Sequence, residues 1–88
     1  MELILYTASG CHLCDIAETI IAEAVAHASV ENADFTVYLT KTDIADNQVL
    51  VQRYAQKIPV LKLSESAREL AWPFDIEQVL QLFESFHG

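Results

Sequence analysis

The opening of the chain constrains it most: an unbroken apolar run, Leu3-Ile4-Leu5-Tyr6, then a short loop with Gly10, then Cys11-His12-Leu13-Cys14 at the head of a helical pattern. A short apolar run without alternation reads as a strand covered on both faces, which is the signature of a parallel sheet. The only other glycine is Gly88, so Gly10 is the one interior position where the backbone turns through positive φ at little cost. Over 12–28 the residues Leu13, Ile16, Ala17, Ile20, Ile21, Ala24 and Ala28 recur at three- and four-residue spacing, with Asp15, Glu18, Thr19 and Glu23 on the opposite face. Residues 31–34 read as a turn and 35–39 as a second strand. Strand, helix and strand in this order form a right-handed βαβ unit with a parallel pair.

The rest of the chain completes a small sheet. A second helix is expected from about 46 to 56, with Val49, Leu50 and Tyr54 pointing inward. Pro59 holds the residue before it extended. Residues 60–63 and 68–72 then read as an antiparallel hairpin joined through Ser64-Glu65-Ser66. Asp75 is a strong N-cap for the last helix. Gln78 three positions on completes a capping box, and Phe74 with Val79 forms the hydrophobic staple. Ile76, Val79, Leu80 and Phe83 supply its buried stripe. The expected class is α/β, in the order β-α-β-α-β-β-α, as one domain over residues 1–88.

Chemistry concentrates at Cys11 and Cys14. A helix N-terminus presents unpaired N–H groups and partial positive charge, which favour thiolate over thiol. Cysteines in such settings have pKa values lowered to roughly 3.5–7.5. A three-residue separation brings both sulfurs onto one turn. Cys11, nearer the loop, is the expected attacking thiolate, and Cys14 the resolving thiol. His12 between them is a candidate thiolate-tuning group, since a protonated imidazole stabilises a neighbouring anion. His27 and His87 are expected at the surface. Zinc is the competing chemistry, but it normally takes four ligands and no second cysteine pair exists, so no metal is expected. A structural staple across so short a loop would stabilise little. A retained pair on a binding module is the remaining alternative.

Charge narrows the partners. The formal net charge is −8, with five basic residues scattered along the chain. Phosphate backbones and anionic lipid surfaces repel such a protein, so neither nucleic acid nor membrane is an expected partner. No basic flank precedes the short N-terminal apolar run, so no leader is read there, and the expected location is the cytoplasm. There a Cys-x-x-Cys pair is more often redox-active or metal-binding than a permanent staple.

With these features in place, the chain resembles the thioredoxin superfamily and, within it, the small glutaredoxin-like domains. The likeness rests on the strand-loop-C-x-x-C-helix opening, on Tyr54-Ala55-Gln56-Lys57-Ile58-Pro59-Val60-Leu61, on the element order, and on Trp72-Pro73-Phe74-Asp75 after the last strand. It implies the thioredoxin fold, with a four-stranded mixed sheet and helices on both faces. It also implies a cis Ile58-Pro59 peptide facing the dithiol, with the Ile58 backbone binding an extended substrate. The function implied is a thiol–disulfide oxidoreductase acting on a disulfide-containing protein or small thiol. The alternatives are a protein-binding adaptor docking at the Ile58-Pro59 edge and a dimer bridging an iron–sulfur cluster through Cys11. The chain departs from the usual pattern at several points. His12-Leu13 replaces Pro-Tyr or Pro-Phe, Ala8 stands where a lysine is common, and Leu5 stands where thioredoxins bury an acid. Ala71-Trp72-Pro73 replaces the Gly-Gly region of the glutathione site, leaving Asp75 as its one match. No resident cofactor is expected, and glutathione stays an open ligand. Tyr6, Trp72 and Asp75 are candidate rim residues.

Overall fold

The computed structural model describes residues 1–85. At its centre lies β1 (Glu2–Thr7), whose alternate residues serve two different cores. Leu3 and Leu5 point to one face and pack with Ala17, Ile21 and Ala24 of α1 (His12–Glu31) and Val79, Leu82 and Phe83 of α3 (Ile76–Ser85). Ile4 and Tyr6 point to the other face and pack with Ile44, Tyr54 and Leu50 around α2 (Gln48–Tyr54). The period-two alternation of a strand makes this division unavoidable once both faces are covered.

Three further strands complete the sheet in the order β2-β1-β3-β4. β2 (Tyr38–Asp43) runs parallel to β1, from Glu2 opposite Tyr38 to Thr7 opposite Asp43. β3 (Val60–Leu63) runs antiparallel on the other side, with Tyr6 opposite Val60. β4 (Glu69–Ala71) forms the hairpin with β3, Val60 lying opposite Ala71. This register gathers four chain segments at one end of the sheet: the loop after β1, the end of β2, the start of β3 and the end of β4. The architecture is the thioredoxin fold expected from the sequence.

Several details differ from expectation. The second strand lies at 38–43 rather than 35–39. Phe35 and Val37 are the β-prone residues, but they are drawn under α1 and α3, where Phe35 sits 5.3 Å from Phe83 between ring centroids. The actual strand is an edge, so its polar run Thr40-Lys41-Thr42 is tolerated. Helix α1 extends to Glu31 and is closed by Asn32, whose N–H reaches the Ala28 carbonyl. Its buried stripe is Cys14, Ala17, Ile21 and Ala24, leaving Leu13 and Ile16 exposed. The second helix begins later, because Asn47 accepts from the Val49 and Leu50 N–H groups and so caps it. A 3-10 turn at Ile44–Asp46 precedes it. This start puts Leu50 and Tyr54 four residues apart on the sheet side and turns Val49 out to solvent. Trp72 lies just beyond β4, donating its N–H to the Pro59 carbonyl. Leu82 joins the α3 stripe, unanticipated. His27 is exposed, and His87 lies outside the described residues.

The last helix starts as its sequence indicates. Gln78 N–H donates to Asp75 Oδ1 at 2.8 Å, and Asp75 N–H donates to Gln78 Oε1 at 3.0 Å. Phe74 and Val79 meet in the core. Replacing Asp75 with Ala should therefore lower stability by about 1 kcal/mol in urea unfolding. An unchanged midpoint would show that the cap contributes nothing.

On the α2 face, Tyr54 stacks on Tyr6 with centroids 4.4 Å apart and planes 17° from parallel. Its hydroxyl donates to Glu69 Oε2 at 2.9 Å. Burial first, and the Glu69 carboxylate second, push the phenol from its ordinary 10.0 up to about 12. The folded chain thus keeps this phenol neutral after the unfolded chain has ionised. Its contribution is complete below about pH 10 and is lost as pH rises from 10 through 12. Tyr54→Phe should cost about 1 kcal/mol at pH 7. Roughly 2 kcal/mol of the native chain's stability is lost by pH 12, so the order of the two proteins should reverse there. Urea unfolding of both at pH 7, 10 and 12 checks this, and a difference independent of pH would refute it.

Candidate functional site

The loop after β1 turns at Gly10, whose φ of 75° is in the left-handed region that favours glycine. The turn is closed by Cys11 N–H donating to the Ala8 carbonyl at 3.2 Å. A Cβ on Gly10 would meet nothing within 4 Å, so backbone conformation alone selects glycine here. The turn delivers Cys11 in extended backbone as the N-cap of α1, with its sulfur accepting from Cys14 N–H at 3.1 Å. Cys14 is one turn further on and faces the core, 3% exposed, while Cys11 is half-buried. Their Cα atoms are 5.3 Å apart and the sulfurs are joined in a disulfide.

The dithiol lies on the wall of an open cleft of about 330 Å³, lined by Thr7, Ala8, Gly10, Cys11, His12, Cys14, Asp15, Glu18 and Lys41. Two contacts hold the far wall in place. Lys41 of β2 bonds Glu18 at 3.1 Å, and Ser9 Oγ donates to Asp43 Oδ2 at 3.4 Å. Asp43 in turn uses Oδ1 to accept the Ala45 N–H at 2.8 Å and so caps the turn after β2. Sequence reading placed Asp15 and Glu18 only on the outer helix face. The signal it passed over is spacing: Asp15 stands four residues from Cys11, and Glu18 four from Cys14.

The other sequence-derived residues are placed as follows. His12 is exposed and lines the cleft. Ile58-Pro59 is a cis peptide at the head of β3, the same end of the sheet as the dithiol loop. Pro59 is buried. Ile58 is half-buried against the tyrosine cluster, and its N–H already donates to the Tyr54 carbonyl at 3.0 Å. An extended substrate at this edge would therefore be left the Ile58 carbonyl alone unless that bond opened. A second cis peptide, Trp72-Pro73, lies beside it and was not expected. Tyr6 is a core residue through its stack on Tyr54. Trp72 packs edge-on to Phe74 at 5.3 Å, and Asp75 caps α3; neither lines the cleft. Among the described residues no group of three or more His, Cys, Asp or Glu could hold a metal ion. No helix among them is long and apolar enough to cross a membrane.

Among curated proteins, none matches this chain. Solved structures do. The X-ray structure of the XcR50 target protein from X. campestris is 30% identical, with a TM-score of 0.72, covering 94% of this chain and 96% of that one. Its solution structure is 32% identical, again with a TM-score of 0.72, covering 97% and 95%. Thioredoxin 1 from Thermosipho africanus TCF52B shares the fold, with a TM-score of 0.65 at 14% identity, covering 99% and 94%. A family model described as a glutaredoxin-like domain (DUF836) matches residues 2–84, from the first residue of β1 to the last turn of α3. The chain therefore belongs to the glutaredoxin-like domain family, built on the thioredoxin fold.

Proposed function

We propose that the chain is a thiol–disulfide oxidoreductase in which Cys11 attacks and Cys14 resolves. The observation that carries this reading is the Cys11 sulfur at the N-cap, accepting the Cys14 N–H, with the second sulfur buried one turn behind it. The half-buried Cys11 thiolate attacks one sulfur of a substrate disulfide, forms a mixed disulfide and expels the other sulfur as a thiolate. The Cys14 thiolate then attacks the Cys11 sulfur, closes the Cys11–Cys14 disulfide and releases the second substrate thiolate. The substrate gains two electrons and the protein loses two, which a dithiol reductant restores. Burial keeps Cys14 from competing for external disulfides, so the order of attack follows from exposure.

Two opposing influences set the reactivity of Cys11. The helix N-terminus and a direct N–H donor favour its thiolate by about 1–2 kcal/mol. Asp15 opposes it from four residues on, but it is solvated and worth about 0.5 kcal/mol at helix-neighbour distance, and Glu18, seven residues on and paired with Lys41, adds less. The thiolate wins, so reduced Cys11 should titrate below the ordinary thiol value of about 8.5.

Three measurements test the reading together. Equilibration in glutathione redox buffers should give a two-electron couple between about −270 and −120 mV. Cys11→Ser should abolish disulfide exchange, whereas Cys14→Ser should retain attack and accumulate the mixed disulfide. Exchange should fall as pH drops through the Cys11 pKa, at a midpoint below that of free cysteine. A free-cysteine titration with no reversible couple would overturn the proposal and leave a binding adaptor.

A further inference from the structure

We infer that this dithiol selects cationic disulfides and disfavours anionic ones, because Asp15 and Glu18 set the charge of the cleft beside the two sulfurs. The inference rests on the oxidoreductase reading and adds its substrate class. Asp15 and Glu18 each follow a cysteine by four residues, a spacing that leaves roughly 5–6 Å between Cβ atoms on a helix. Both line the cleft with Cys11 and Cys14. Its one lysine, Lys41, lies 3.1 Å from Glu18 and offsets one of the two carboxylates, so the cleft lining keeps an excess of negative charge. Asp43 adds a further negative charge at the loop, where it is bonded to Ser9. Ala8 contributes no charge. The whole chain carries −8 and so repels an approaching anion at longer range as well.

The consequence falls on encounter and on the attack itself. Sulfur attack on a disulfide spreads negative charge over three sulfurs, beside two carboxylates. A substrate bearing ammonium or guanidinium groups near its sulfurs offsets that charge. A substrate bearing carboxylates, such as glutathione disulfide, adds to it.

The test is single-turnover oxidation of the reduced protein at pH 7.5 and low ionic strength. The probes are cystamine as the dication, bis(2-hydroxyethyl) disulfide as the neutral compound and glutathione disulfide as the anion. Each rate is divided by that of free 2-mercaptoethanol with the same disulfide, which removes intrinsic reactivity. The normalised rate for cystamine should exceed that for glutathione disulfide by about tenfold, with the neutral compound between them. The ratio should collapse toward one in about 1 M salt, where the screening length is near 3 Å. D15N/E18Q should lower the ratio at least threefold. E31Q/E84Q removes the same charge at the far end of α1, about 30 Å away, and should lower the ratio far less than D15N/E18Q does. Equal normalised rates, a ratio that D15N/E18Q does not move, or an equal fall in E31Q/E84Q would overturn the inference. Failure of all three disulfides to oxidise the protein, with free thiol reacting normally, would overturn the oxidoreductase reading instead.

Discussion

Leu5 and Tyr6 are neighbours on β1 that point into different cores, and the rest of the structure depends on that alternation. Leu5 locks the sheet to α1 and α3, and Tyr6 locks it to α2 through the Tyr54 ring. With β1 committed on both faces and paired on both edges, its C-terminal end has no freedom to slide. A one-residue slip would exchange the two faces and bury Ile4 and Tyr6 where Leu3 and Leu5 belong. The dithiol loop is the direct continuation of that end. The precision of the cysteine pair is thus inherited from a strand whose position is set by packing, and Gly10 only redirects the chain from strand to helix.

The head of α1 then assigns the two cysteines different fates. Cys11 is the cap, outside the regular helix, and its sulfur satisfies a donor that would otherwise face solvent. Cys14 shares the buried stripe with Ala17 and Ile21. Small residues at 17 and 24 let the helix approach the sheet closely, which keeps Cys14 covered. The asymmetry in exposure comes from the helical period: a residue at the cap and another three positions on differ in depth because the helix leans its inner face on β1.

Much of this was legible in the sequence. The strand at 3–6, the helix after the cysteines, the hairpin and the capping box at Asp75 all rest on local rules whose residues sit next to each other in the chain. What failed to show depended on distant partners. Phe35 and Val37 carry strand propensity, but α1 just before them and α3 about 40 residues later claim them, and the strand forms instead on a polar edge at 38–43. Val49 belongs to an apolar trio, yet Asn47 fixes the helix start and turns it outward. In the site, Cys11, Cys14 and His12 were legible from spacing. The placement of Tyr6 in the core was not, because nothing local distinguishes a strand-end tyrosine that stacks inward from one that borders a cleft. The Ile58 N–H is a similar case: its use by Tyr54 follows from the turn at the end of α2, which no motif announces.

Charge shows the same limit from the other side. A net charge of −8 disfavours the approach of polyanions, but as a bulk property it reads equally well as solubility. Position gives it chemical meaning. Of five basic residues, one reaches the dithiol cleft, and it is spent on Glu18. The carboxylates that remain are too solvated to reverse the pull of the helix N-terminus on Cys11, yet close enough to act on whatever approaches it. A thiolate and its substrate therefore feel different sums of the same charges. The helix terminus dominates for the sulfur it touches, while an incoming molecule, farther from the backbone donors, meets the acidic wall first. On the proposed reading, reactivity and selectivity are in this way set by separate groups within the first two turns of α1.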